Sequence, residues 1–320
     1  MSDVDAVVGI DVAKAKFDCA WLCQGKFKTR VFANTPQGFE ELRTWLSALG
    51  GHPLLCMEAT GSYHEALATH LADTGYRVAV VNPLRIKRFA EAELVRAKTD
   101  RLDARLIARF AAAHRPALWL PPAPEVRVLR DLVRRLEALL DLKGQETNRL
   151  GVASAPVRPS IETVLGVLDA EITAIRAKIR DHLDQHPGLR HQKQLLDTIP
   201  GLGETTIALL LAEVNFQAFD QAREVAAFTG LVPRRQESGT LRGRTRLSKV
   251  GSSRLRRALY MPAIVAIRHN PLIRGQYQRL LANGKSKMAA IGAAMRKLVH
   301  IAFGVLKSGK PFDPNIALGA

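Results

Sequence analysis

A chain of 320 residues can form two domains, each with its own core, and a hydrophobic share of 47% argues against intrinsic disorder. The formal charge of +17 and a pI of about 10.3 favour a polyanionic partner over a neutral or acidic one. Three cysteines (Cys19, Cys23 and Cys56) are too few for a disulfide framework, and Cys19 and Cys23 lack a His pair at zinc-finger spacing, so reduced thiols are expected.

In chain order, Ala6-Val7-Val8-Gly9-Ile10-Asp11 is a short apolar strand ending in an acid. Phe17–Cys23 and Phe27–Phe32 read as two further strands joined by a Gln24-Gly25 turn. Thr35 as N-cap and Pro36 at the first helical position open a helix that carries Phe39, Leu42, Trp45, Leu46 and Leu49 at helical spacing. Leu54–Glu58 is a fourth strand, Tyr63–Ala72 a helix, and Arg77–Val81 a fifth strand closed by Asn82-Pro83. A last helix covers Thr99–Ala113. An antiparallel three-strand meander extended by parallel strands through helical crossovers is the order of an α/β RNase H-like (RuvC-like) domain, placed at 1–115.

Pro121-Pro122-Ala123-Pro124 marks a boundary. Beyond it Val126, Leu129, Val133, Leu136 and Leu140 step by three and four, and Leu165, Leu168, Ile172, Ile175 and Ile179 do so again after a break at Gly151–Pro159. Two such stretches predict a helical hairpin or coiled-coil arm over 116–185, with self-association the preferred use and packing within the chain the alternative. The remainder, 186–320, reads as mostly α-helical. Charge is segregated along the chain: 1–115 hold 16 Lys+Arg against 13 Asp+Glu, 116–185 hold 10 against 10, and 186–320 hold 21 against 7. A surplus confined to one region points to nucleic-acid binding there. Asp3 and Asp5 interrupt any early apolar run, and no uncharged stretch reaches bilayer length, so a cytoplasmic protein without a membrane segment is expected.

Four acids fall where a carboxylate-rich metal site needs them. Asp11 ends the first strand and Glu58 the fourth, while Asp100 and Asp103 sit three apart on one helical face. Such an oxygen-only set suits Mg²⁺ or Mn²⁺, and two such ions can flank a phosphodiester. Taken singly, Asp100 can be a helix N-cap and Asp103 a partner for Arg101 or Arg105.

Between Arg234 and Arg257 stand nine Lys+Arg and one acid, Glu237. Ser238-Gly239 lies among Arg234, Arg235, Arg242, Arg244, Arg246, Lys249 and Arg254, so a phosphate could approach the hydroxyl while guanidinium groups balance its charge. From the residues alone, a turn-capping Ser238 among arginines that only grip backbone phosphates is the stronger reading. Ser248, Ser252 and Ser253 are rivals, with Ser252-Ser253 resembling the N-cap of a helix running to Ile267. Ile199-Pro200-Gly201-Leu202-Gly203 between two apolar helices reads as a helix-hairpin-helix, in which Gly201 and Gly203 would let backbone N–H groups meet a phosphate. A plain helical corner is the alternative.

These segments together resemble the DEDD transposases of bacterial insertion sequences, the one-ten family. Val8-Gly9-Ile10-Asp11-Val12, Glu58-Ala59-Thr60-Gly61-Ser62-Tyr63-His64 and Ala97-Lys98-Thr99-Asp100-Arg101-Leu102-Asp103-Ala104 are similar to its three acidic motifs. Ile199–Gly203, Phe228–Pro233 with Ser238-Gly239, and Gly251–Tyr260 resemble its C-terminal transposase domain, except that Ser252 stands where members often carry Asn. The resemblance implies a nucleoid-associated bacterial recombinase that cuts and rejoins donor and target DNA. In it Asp11, Glu58, Asp100 and Asp103 would bind Mg²⁺, and Ser238 would form a phosphoserine link to DNA. It further implies a structured bridge RNA as guide, and dimers assembling to a tetramer. Two other readings are open: a metal-dependent junction-resolving nuclease in which water attacks, and a non-catalytic binder on a decayed nuclease fold.

Overall fold

A computed structural model describes residues 6–59, 61–94, 100–234, 237–238, 241–242, 246–248 and 250–315, with backbone alone for 100–102, 237–238, 241–242 and 246. The chain divides into two compact units, Met1–Pro121 and Pro122–Ala320.

The first unit opens with a meander of β1 (Val7–Val12), β2 (Lys16–Cys23) and β3 (Lys26–Ala33). Gln24 and Gly25 turn between β2 and β3 with φ of 49° and 76°, the paired positive angles of a two-residue hairpin whose twist matches its strands. Helix α1 (Pro36–Leu49) starts as expected, with the Thr35 hydroxyl accepting from the Gly38 N–H at 3.3 Å. Strand β4 (Leu54–Glu58), α2 (Tyr63–Asp73) and β5 (Arg77–Val81) follow. Asn82 does more than close β5: its side chain accepts from the Leu84 N–H at 2.8 Å and begins a helix that sequence periodicity does not reveal, α3 (Pro83–Ala92). Helix α4 (Asp100–His114) completes the unit.

The sheet order is β3-β2-β1-β4-β5, with β1–β2 and β2–β3 antiparallel and β1–β4 and β4–β5 parallel. Side chains alternate between its faces. Val8, Ile10, Leu55 and Met57 bury with Phe39, Leu42, Leu67 and Leu71 of α1 and α2. Val7, Leu54, Cys56, Ala79 and Val81 bury with Ile86 of α3 and Leu106, Ile107 and Phe110 of α4. This is a mixed sheet with helices on both faces.

In the second unit α5 (Pro124–Val152) and α6 (Arg158–Gln185) form the expected hairpin. Its seam does not stand apart. Leu129, Val133, Leu136 and Leu139 of α5 and Leu168, Ile172, Ile175 and Ile179 of α6 belong to one core with the later helices. These are α7 (Pro187–Asp197), α8 (Glu204–Glu213), α9 (Ala222–Phe228), α10 (Ser253–Ala258), α11 (Tyr260–His269), α12 (Pro271–Ala282) and α13 (Lys287–Ser308). Ser252 is the α10 N-cap, its hydroxyl accepting from the Leu255 N–H at 3.2 Å. By length and composition α13 could cross a bilayer, but 61% of its apolar window is buried inside the protein, with Leu298, Val299 and Ala302 at the core.

The apolar residues expected at an interface between chains are therefore covered within one chain. Leu136 is 2% exposed, so Leu136→Ala should lower unfolding free energy by roughly 2–5 kcal/mol in chemical denaturation, with no change in oligomer size by light scattering. An oligomer that dissociates while the fold holds would instead place this seam between chains.

Candidate functional site

The first acidic pair is positioned by strand register. Gly9 pairs with Cys56 and Ile10 with Met57 along parallel β1 and β4, so Asp11 and Glu58 come next in register at the same end of adjacent strands. Asp11 shares a face with Val7 and Gly9, and Glu58 with Leu54 and Cys56; this is the face that α3 and α4 cover. Both acids are half-buried.

Helix α4 reaches that face because Gly9 has no side chain. A Cβ at Gly9 would overlap the Ala104 carbonyl oxygen and the Ala108 nitrogen, and would stand 2.9 Å from the Ala108 Cα. Backbone lies on backbone, and Asp103, half-buried, precedes Ala104 in the turn that touches β1 two residues before Asp11. Asp100 opens α4 one turn earlier; its side chain lies outside the described residues. Arg105, considered as a partner for Asp103, lays its guanidinium over the Phe27 ring at 5.3 Å. A glycine two residues before a strand-terminal acid is the sequence signal for this close approach.

Asn34, which no sequence motif marks, ties the loops flanking the acids. Its Nδ2 donates to the Ala13 carbonyl at 3.0 Å and to the Tyr63 carbonyl at 3.2 Å, linking the β1–β2 turn to the start of α2. Cys56, beneath the site, is a buried thiol pushed up to about 12 by desolvation, and burial raises Cys19 as well. Both are thus held as neutral thiols, unsuited to metal or nucleophilic chemistry. Among the described residues, no three His, Cys, Asp or Glu side chains are gathered tightly enough to enclose an ion. Asp11 and Glu58 stand on one sheet face and Asp103 on the helix that covers it, so the donors this layout offers are carboxylate oxygens, the kind a hard divalent cation takes.

In the second unit the basic stretch forms ribbon, not coil. Two short antiparallel pairs nest: β6 (Pro233–Arg234) with β9 (Arg246–Leu247), and β7 (Glu237–Ser238) with β8 (Leu241–Arg242). Ser238 pairs with Leu241, so the inner pair brackets Gly239-Thr240. Arg234 is exposed on the outer pair, across from Arg246. The expectations for Arg235, Arg244 and Lys249, and for the side chains of Ser238, Arg242 and Arg246, lie outside the described residues.

Three expected nucleic-acid contacts acquire structural explanations. Gly201 has φ of +108°, and a Cβ there would stand 2.6 Å from the Ala266 Cβ of α11, so its lack of a side chain serves packing. Gly203 is the N-cap of α8 and faces open space, but Glu204 follows in the first turn and repels an anion there. Arg254 pairs with Glu137 of α5 and, at 2.6 Å, with Glu213 of α8; its guanidinium, 22% exposed, joins three helices.

Gly9→Val should push α4 away from β1. Overpacking of this kind costs on the order of 1–3 kcal/mol, and denaturation of the variant should show that loss. Unchanged stability would mean α4 does not rest on Gly9.

Comparison with known proteins places the chain in a family. Residues 8–153 match a family described as Transposase, the DEDD type of IS110, and residues 193–278 match the Transposase IS116/IS110/IS902 family. The chain is 33% identical over 315 residues to the pilin gene-inverting protein of Moraxella bovis, covering 97% of this chain and 98% of that one. It is 25% identical to the transposase for insertion sequence element IS1328 of Yersinia enterocolitica, covering 96% and 98%. An insertion element IS110 protein of 43.6 kDa from Streptomyces coelicolor is 28% identical over 164 residues, covering 51% of this chain and 40% of that one. With two family matches along one chain and a relative 33% identical over nearly its whole length, this protein belongs to the IS110 family of transposases.

Proposed function

We propose that this transposase cuts and rejoins DNA through a covalent link to Ser238, with Asp11, Glu58, Asp100 and Asp103 of an RNase H-like domain holding Mg²⁺ or Mn²⁺ and a bridge RNA selecting donor and target. The observation that carries the metal reading is the contact of α4 on Gly9, which sets the Asp103 turn over the face bearing Asp11 and Glu58. A bound divalent ion supplies Lewis-acid stabilisation of phosphate charge. The Moraxella bovis relative is named for inverting a gene, and inversion requires strands to be rejoined after cutting.

Rejoining without another energy source requires that each broken phosphodiester be kept as an ester. The Ser238 oxygen attacks phosphorus, its proton passing to solvent. The bond from phosphorus to the departing strand's oxygen breaks, and that oxygen takes a proton to leave a free hydroxyl. Reversal by another strand's hydroxyl releases the serine. Arginines of the ribbon balance the phosphate charge during the displacement. The surplus of 21 Lys+Arg over 7 Asp+Glu in 186–320 supplies the attraction for DNA and for a guide RNA, with dimers pairing into a tetramer to hold four strands.

Labelled DNA incubated with protein, Mg²⁺ and guide RNA should give a protease-sensitive shifted band on a denaturing gel. Ser238→Ala should abolish that band and strand exchange while nucleic acid still binds. Asp11→Asn or Glu58→Gln should abolish exchange too. An adduct that persists in Ser238→Ala names another nucleophile; cleavage by wild type with no adduct at any time favours attack by water.

Neutralising Arg242, Arg244 and Arg246 together should reduce the log–log salt dependence of binding by about one unit for each phosphate that is no longer neutralised. An unchanged slope would show that these arginines do not touch phosphate.

A further inference from the structure

Asp18 is one of few buried polar residues among those described, at 8% exposure, and no motif includes it. Register explains its interest. In the antiparallel pair β1–β2, Asp11 lies directly across from Asp18. Opposed residues of such a pair point to the same face, with Cβ atoms about 4.5–5.5 Å apart. Asp18 is therefore on the face that bears Asp11 and Glu58, on the opposite flank of Asp11 from Glu58.

Two carboxylates directly opposed across strands repel, and burial strengthens the repulsion. A cation beside them offsets it. Lys16, two residues earlier on the same face of β2, places its Nζ 3.1 Å from the Asp18 Oδ2. Its side chain is 47% exposed and that of Asp18 11%, so the ammonium caps a buried acid from the solvent side. A pair serving only the fold would gain little here, since a hydrophobic residue could fill the same position without the desolvation cost.

Building on the metal-centre reading above, we propose that Asp18 is an outer acid that positions and charges Asp11 for that centre, and that Lys16 is the cation a divalent ion displaces from beside it. Asp18 adds negative potential on one side of Asp11 while Glu58 adds it on the other. Lys16 balances the charge when no ion is present and competes with the ion for the same field. Asp18 thus acts as a positioning residue, through Asp11.

The test is a Mn²⁺ titration of the full-length protein, with free Mn²⁺ read by electron paramagnetic resonance and the fold by circular dichroism and thermal melting. Asp18→Asn should weaken Mn²⁺ binding roughly 10- to 100-fold, the range for outer partners of metal ligands, with Asp18→Glu recovering part of it. Lys16→Met should tighten binding, a change that loss of a merely structural ion pair would not produce. Asp11→Asn is the reference: if it leaves Mn²⁺ affinity unchanged, the metal-centre reading itself fails. If Asp11→Asn weakens binding and Asp18→Asn binds like wild type, with or without a lower melting temperature, the role of Asp18 is refuted. Should Asp18→Asn fail to fold, Lys16→Met decides: tighter binding supports the proposal, and unchanged or weaker binding overturns it.

Discussion

The first unit depends on one backbone-to-backbone contact, α4 against Gly9. A strand and a helix ordinarily stand apart by the length of their side chains. Here glycine on β1 removes that spacer, and alanines at 104 and 108 remove most of it on α4. The consequence reaches beyond packing. The same approach that buries Leu106, Ile107 and Phe110 sets the turn holding Asp103 over the sheet face where Asp11 and Glu58 stand. Packing of this helix and placement of Asp103 are one event, so Asp11, Glu58 and Asp103 are carried by strands and a helix and not by loops.

The second unit is organised on a different principle. Its core runs from the α5–α6 hairpin through α13, and a cluster of charges tightens it from outside. Glu213 of α8 stands 3.8 Å from Arg130, 3.7 Å from Arg134 and 2.6 Å from Arg254. Part of the large basic surplus is thereby committed to holding helices together. The surplus that can meet a polyanion lies elsewhere, on exposed groups such as Arg223 and Arg234. Net charge indicates a partner, but only the pairing pattern tells which arginines can greet it.

Much of this was legible in the sequence. Strand and helix periodicity, the Gln24-Gly25 turn and the Thr35 cap are local signals, and local geometry honours them. What escaped depends on partners distant in sequence. Arg254 reads as a phosphate contact until α10 packs beside Glu137, 117 residues away. Asp18 is an ordinary strand residue until register sets it across from Asp11. Gly201 reads as a phosphate-approach glycine until α11 is seen against it. Helix α3 leaves no periodic signal for another reason: Ile86 alone on it is buried, so its apolar stripe is too thin to register against Arg85, Lys87 and Arg88. The ribbon at 233–247 has strands of two residues, too short for alternation to show.

The central claim is that acids from two strands and one helix form a single metal centre. Anomalous diffraction from crystals grown with Mn²⁺ tests it most directly. The account predicts an anomalous peak between the Asp11 and Glu58 carboxylates, at metal–oxygen distances of about 2.1 Å, with a further oxygen from Asp100 or Asp103. A peak elsewhere on the molecule, or no peak at saturating Mn²⁺, would contradict it.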